Sequence, residues 1–197
     1  MNGFPRRARP YATVVLMALC VAVSIASNLG SSASVLLPLL IAEPDTAPFS
    51  QVLHGEVWRL ATPMLVHFGI LHILFNMMWL WDLGRLIELV RGSAFLLGFV
   101  VATGIASNVA QYAITGNPLF GGMSGVVYAL LGYVWMQGRH NPRFGFILHK
   151  STVIMMLGWY VLCWTGLAGP IANWAHTAGL VLGVAWGYLE AKGRPAR

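Results

Sequence analysis

Four polar residues lie within or at the ends of apolar stretches and could together hydrolyse an acyl bond: His72, Asn76, Ser124 and His176. A serine hydroxyl is a weak nucleophile until a neutral histidine accepts its proton, and the protonated histidine can then protonate the leaving amine. We therefore predict Ser124 as the nucleophile and His176 as the general base. All six acidic residues lie outside the apolar stretches that carry this pair. No carboxylate is expected to orient the histidine, so the pair is predicted to be a dyad.

The oxyanion formed by such an attack needs hydrogen-bond donors. Ser124 stands at the start of an apolar segment, where backbone N–H groups have no acceptor within the helix. His72 and Asn76 are four residues apart and share one helical face. Asn76 is predicted to stabilise the oxyanion, whereas His72 either donates as well or holds Asn76 or a water in place. The structural alternative is that Ser124 bonds its own backbone.

The composition indicates what kind of fold must hold these residues. Of 197 residues, 57% are hydrophobic and 9% are charged, against about 25% charged in soluble domains. So few charges cannot cover a soluble surface, which indicates a polytopic membrane protein. The net charge of +6 forms no basic, aromatic-interleaved stripe, so no nucleic-acid partner is predicted. Cys20 and Cys163 lie in apolar segments and are predicted to pack as thiols, without a disulfide or a metal.

Six apolar segments reach or approach the roughly 20 residues that a membrane span needs. They cover about residues 12–29, 69–87, 94–114, 122–137, 151–167 and 173–189. The connection 30–68 contains an apolar stretch, Val35–Ala42, that is too short to cross and is expected to lie in the interface or to pack on the bundle. The predicted fold is an all-α bundle of six transmembrane helices with a long, partly embedded loop. A single domain is expected over residues 1–197, with a short tail, 1–10, and no soluble accessory domain.

Basic residues predict the orientation. Eleven of the twelve Lys and Arg residues fall on one side of the predicted topology, and Arg59 alone falls on the other. Because Lys and Arg in short loops stay in the cytoplasm, both termini are predicted to be cytoplasmic. An alternative for residues 1–33 is a cleavable signal peptide, since they have a basic start and an apolar core.

The polar residues of the even-numbered segments are predicted to reach one level. His72, Ser124 and His176 each lie 13 to 15 residues from a charged residue at the far end of their segment, or roughly 20–22 Å. Small residues let two helices approach closely, and they form matching faces on segments four and six: Gly121, Gly122, Gly125, Ala129 and Gly132 opposite Gly179, Gly183 and Gly187. This seam is predicted to bring His176 against Ser124, unless the glycines serve helix packing alone.

Three short motifs contain the candidate residues. Gly122–Gly125 fits GxSG, His72–Asn76 fits HxxxN, and Ala175–Gly179 fits AHxxG. In this order and on these segments, they resemble the motifs of the rhomboid family of intramembrane serine proteases, and the sequence is most like the bacterial GlpG type. The resemblance covers about residues 10–190 and includes Trp58-Arg59.

The resemblance implies a six-helix protease of the bacterial inner membrane whose active site opens to the outer side. It would cleave transmembrane segments of membrane proteins, with membrane lipid as its surroundings and with no cofactor, metal or nucleic acid. Gly122 and Tyr128 would support the dyad, Glu88 would brace the cytoplasmic side, and segment five with residues 166–173 would form the gate and cap. The alternatives are a proteolytically inactive relative that binds or escorts membrane proteins, and a transporter, for which no inverted repeat is apparent.

Overall fold

The computed structural model describes residues 9–193. Its main elements are six helices, numbered here in chain order: α1 (Tyr11–Ala26), α2 (Ile70–Arg91), α3 (Ser93–Thr115), α4 (Ser124–His140), α5 (Lys150–Trp164) and α6 (Asn173–Gly193). The described residues contain no strand, so the predicted all-α class is confirmed. Residues 1–8 and 194–197, with the basic residues Arg6, Arg7, Arg194 and Arg197 and most of the predicted tail, lie outside the described residues.

The helices follow the predicted segments but differ at their ends. α1 stops at Ala26 and does not continue to residue 29, because Asn28 and Leu29 have φ angles of 48° and 52°, in the left-handed region. α4 begins at Ser124 and not at residue 122, because Gly122 has a φ of 115°. This backbone conformation is incompatible with a helix, and glycine adopts it more readily than other residues do. A π-helical turn at Leu80–Gly84 interrupts the regular hydrogen bonding of α2.

Two of these helices, α2 and α3, are long and apolar enough to cross a membrane, and α1 is a shorter apolar helix. The prediction of six membrane-crossing helices therefore stays a prediction for the others. Cys20 in α1 and Cys163 in α5 are both buried free thiols.

The connection between α1 and α2 consists of loops and short helical turns: Ala33–Leu36, Leu37–Leu39, Ser50–Leu53, Val57–Leu60 and Thr62–Leu65. Leu40, Ile41 and Ala42 are fully buried. Ile41 and Ala42 cluster with Tyr112 at the end of α3 and with Phe120. The end of the apolar stretch thus packs on the bundle, one of the two arrangements expected for it.

Arg59 fixes the shape of this connection. Its guanidinium donates to the carbonyl oxygens of Leu37 at 2.5 Å and Leu40 at 3.0 Å. It also pairs with the carboxylates of Glu56 at 2.6 Å and Glu43 at 3.3 Å. The side chain is buried, so these bonds replace the water that the charge loses.

Glu88 joins three helices at the end of the bundle opposite Ser124. Its carboxylate accepts backbone N–H bonds from Ala12 at 2.7 Å and Thr13 at 2.8 Å, and hydroxyl bonds from Thr13 at 2.6 Å and Ser93 at 2.7 Å. The first N–H groups of α1 have no acceptor within their own helix. The carboxylate therefore ties the start of α1 to the junction of α2 and α3, which agrees with the bracing role expected of Glu88.

The most extensive helix contact joins α4 and α6. A Cβ atom added at Gly179 would overlap the carbonyl oxygen of Gly125, and one added at Gly183 would overlap that of Ala129. The two backbones touch directly, so the predicted glycine seam is present. Because backbone atoms cannot move aside as side chains do, this contact fixes the depth of α6 relative to α4.

Candidate active site

Ser124 and His176 meet where α4 and α6 begin. The distance from His176 Nε2 to Ser124 Oγ is 2.8 Å, and His176 is 4% exposed. When the hydroxyl donates to Nε2, the neutral imidazole carries its own proton on Nδ1. This is the arrangement in which an imidazole can take the proton of an attacking serine.

The ring of His176 is oriented by packing. Tyr128 lies one turn after Ser124, and its ring centroid is 4.8 Å from that of His176. The Tyr128 hydroxyl donates to the carbonyl oxygen of Met156 in α5 at 3.1 Å. Within residues 9–193, His176 Nδ1 has no hydrogen-bond partner. A two-residue arrangement of Ser124 and His176 is thus what the described residues form, with Tyr128 beside it.

Gln111 holds the start of α6 from α3. Its Oε1 accepts the N–H groups of Trp174 at 3.0 Å and Ala175 at 3.2 Å, which have no acceptor in the first turn of their own helix. His176 follows immediately, so this bond helps to set its position. The sequence predicted no role for Gln111. A strongly polar side chain within an apolar segment is the signal that would have found it.

His72 and Asn76 project from the first turns of α2 into the same site. The Phe68 N–H donates to His72 Nδ1 at 3.3 Å, so the neutral His72 ring carries its proton on Nε2. A Cβ added at Gly122 would lie 2.5 Å from His72 Nε2 and 3.7 Å from Ser124 Oγ. Glycine at position 122 therefore leaves room for an N–H donor beside the serine.

Asn76 contacts the backbone of His72 and not its ring. The amide Nδ2 of Asn76 donates to the carbonyl oxygen of His72 at 2.9 Å. Since a side-chain amide has two hydrogens, one is left for another acceptor in the site. Of the roles left open for His72, the described contacts favour donation through Nε2.

His67 holds the residue before Ser124. The Met123 N–H donates to His67 Nε2 at 3.4 Å, and His67 Nδ1 lies 3.1 Å from the carbonyl oxygen of Leu65. Both bonds require the same neutral tautomer, with the proton on Nδ1. Burial, together with the neighbouring His72, lowers the pKa of His67 to about 4. The sequence predicted no role for His67, because no spacing rule indicates this contact.

The His67 pKa predicts a pH dependence of stability. Histidine has an ordinary pKa of 6.5, so as the pH falls from about 6.5 to about 4 the unfolded chain binds a proton that the folded chain does not. The stability that neutral His67 contributes is complete above this window and is lost within it, up to about 3 kcal/mol. When the pH is lowered from 7 to 5, we expect the unfolding temperature of His67→Gln to fall less than that of the wild type. Thermal unfolding in detergent measures both.

The control for this prediction is His54→Gln, at an exposed histidine of the α1–α2 connection. This variant should keep the pH dependence of the wild type. If His67→Gln and the wild type lose the same thermal stability over this range, the assignment of a neutral, buried His67 is wrong.

The four polar residues predicted for the site line one cavity of about 890 Å³, and so does Tyr128. Its walls are mostly apolar and include Phe75 and Trp79 from α2 and Met155 and Trp159 from α5. The loop after α5 also lines the cavity, through Ala168, Pro170, Ile171 and Ala172. Polar side chains are a minority of this lining and include the four residues at the candidate site, as in sites that bind an apolar ligand in one orientation.

The fold and the site thus define an all-helical membrane protein in which a half-buried serine meets a buried histidine beside a mostly apolar cavity. The family model of the rhomboid domain matches residues 54–193. Proteins named rhomboid protease GlpG from Salmonella paratyphi A, Salmonella typhi and Salmonella newport are each 40% identical over 185 residues, covering 93% of this chain. The chain belongs to the rhomboid family, as the three motifs indicated. It spans 64% of the length of these curated relatives.

Proposed function

We propose that this chain is an intramembrane serine protease that cleaves transmembrane segments of membrane proteins near the outer face of the bacterial inner membrane. Six helices cross the bilayer, both termini are cytoplasmic, and the cavity opens to the outer side. The observation that carries the proposal is the 2.8 Å contact between Ser124 Oγ and His176 Nε2. The similarity to proteins named rhomboid protease supports it.

In this proposal, Ser124 Oγ attacks the carbonyl carbon of the scissile peptide while His176 Nε2 takes the hydroxyl proton. The protonated His176 then donates that proton to the nitrogen of the leaving amine, and an acyl-enzyme on Ser124 remains. A water molecule hydrolyses this ester, with His176 acting again as the base. Packing on Tyr128 and the anchoring of α6 by Gln111 keep the imidazole in place without a carboxylate.

Three donors are available for the oxyanion. They are the backbone N–H of Ser124 at the start of α4, the Nε2–H of His72 and the second amide hydrogen of Asn76. Donors already fixed before the reaction stabilise the charge that develops on the substrate oxygen. The contacts from Phe68 to His72 and from Asn76 to the His72 carbonyl support this fixed geometry.

The substrate class follows from the cavity. Its walls between α2 and α5 are apolar, which suits a segment that arrives from lipid. A substrate helix hides its carbonyl groups in its own hydrogen bonds, so it must unwind before Ser124 can attack. Segments with glycine, proline or small polar residues unwind most easily and are the expected substrates.

Asn76→Ala tests the oxyanion site. We expect kcat to fall by about 10²-fold with little change in KM, because the lost donor acts mainly on the transition state and other donors remain. Initial rates at varied substrate concentration measure both constants. Asn117→Ala, at an exposed asparagine of the same cavity, should keep both. An unchanged kcat in Asn76→Ala would remove Asn76 from the oxyanion site.

The direct test of the function is cleavage by the purified chain in lipid vesicles. A model transmembrane segment with a small residue at the expected cut should be hydrolysed within its membrane-spanning part, and mass spectrometry locates the cut. A chain that binds the segment and leaves it intact would favour the inactive, escorting relative.

A further inference from the structure

A second groove lies at the end of the bundle opposite Ser124, between the last turns of α4 and the start of α5. Its volume is about 370 Å³. Two of its eight lining residues, Arg139 and Lys150, are cationic. The other six are apolar: Trp135, Ile147, Leu148, Val153, Ile154 and Leu157. The proposed reaction uses none of them.

One wall of the groove is held firmly. Gln137 in α4 donates to the carbonyl oxygen of Gly187 in α6 at 2.9 Å and accepts from Asn141 Nδ2 at 2.7 Å. A Cβ added at Gly138 would lie 2.8 Å from the carbonyl oxygen of Phe146, so the connection to α5 folds back onto α4. The shape of the groove is therefore set by the packing of the α4–α5 connection against α4.

The two cations are available to a ligand. Arg139 and Lys150 are exposed, and within residues 9–193 no ion pair joins either of them to a carboxylate. Both also belong to the basic set that predicts the cytoplasmic side. The inner leaflet at that side carries anionic lipids, and basic pockets between helices bind their headgroups.

The apolar part of the groove indicates what else the ligand contains. Ile147 is 83% exposed and Ile154 is 59% exposed, whereas Val153 is buried. In a membrane protein such a surface is covered by lipid chains. Trp135 beside the cations suits the boundary between chains and headgroups, where tryptophan is enriched.

We propose that this groove binds one anionic phospholipid of the inner leaflet, with the headgroup phosphate between Arg139 and Lys150 and an acyl chain against the apolar residues. The inference rests on the membrane orientation given in the proposed function. It does not depend on proteolysis, since none of the groove residues belongs to the site at Ser124.

Native mass spectrometry of the full chain in detergent tests this site. Phosphatidylglycerol and phosphatidylcholine with the same acyl chains are titrated separately, and the affinity for the first bound lipid is compared. We expect phosphatidylglycerol to bind about 30-fold more tightly, because two basic residues attract its net negative charge, which the choline group of phosphatidylcholine cancels. The preference should shrink as salt rises, since the cations are exposed.

The variant Arg139→Gln/Lys150→Gln should lose this preference. The matched control, Arg85→Gln/Lys192→Gln, removes the same charge at the same end of the bundle, outside the groove, and should keep it. Ser124→Ala should bind both lipids as the wild type does, so a failure of the protease proposal leaves this test intact. Excess glycerol 3-phosphate should not displace the lipid. Three results would overturn the proposal: equal affinities of the wild type for the two lipids, equal losses of preference in both double variants, or displacement of the lipid by glycerol 3-phosphate.

Discussion

Replacing Ser124 with alanine is expected to reduce cleavage of a transmembrane substrate by roughly 10⁴-fold or more. The variant removes the hydroxyl that is proposed to attack the scissile carbonyl, and the remaining donors stabilise a charge that no longer forms by this route. Folding should be unaffected, since one hydroxyl at the edge of a cavity is lost. Initial rates in lipid vesicles at equal protein content measure the effect.

The control for this experiment is Ser34→Ala, at an exposed serine of the α1–α2 connection. Its cleavage rate should match that of the wild type. A Ser124→Ala variant that cleaves within tenfold of the wild-type rate would rule out Ser124 as the nucleophile.

Gly179→Ala is expected to have the second large effect, although it lies outside the chemistry. The added Cβ would overlap the carbonyl oxygen of Gly125, and a backbone atom cannot turn away. Overpacking of this kind costs about 1–3 kcal/mol. It would also push α6 away from α4, and a shift of about 1 Å between reacting groups can cost about 10²-fold in rate. Thermal unfolding and cleavage rates measure the two consequences separately.

Gly98→Ala is the matched control. Gly98 lies inside α3, and a Cβ there would meet nothing within 4 Å. Alanine should be neutral or should stabilise the helix by up to about 1 kcal/mol. If Gly179→Ala behaves like Gly98→Ala, the direct backbone contact between α4 and α6 does not hold His176 in place.

The sequence predicted the parts of this fold that leave a local trace. The glycines after His176 recur at helical spacing, so a close contact could be expected before the structure was known. The polar residues Ser124 and His176 could be identified because their surroundings are apolar. Burying a polar group in such a segment costs free energy, so these residues usually have a function. The same reasoning applied to Gln111 would have identified its bond to the start of α6.

Other features depend on contacts between distant parts of the chain. His67 bonds Met123, 56 residues away, and nothing in the sequence near either residue indicates the pairing. The start of α4 was misplaced by two residues, because the glycine spacing does not indicate that Gly122 has a left-handed backbone and lies against the His72 ring. Length and composition identify α2 and α3 as spans, whereas the other helices include shorter or more polar stretches.

Ser124 and His176 are proposed to act together as a nucleophile and its base. A fluorophosphonate reacts with an activated serine, and peptide mapping by mass spectrometry locates the adduct. We predict an adduct on Ser124 in the wild type and the loss of this adduct in His176→Gln. The control His140→Gln, at an exposed histidine of α4, should be labelled to the same extent as the wild type. An adduct on another residue, or equal labelling of Ser124 in His176→Gln, would contradict the dyad.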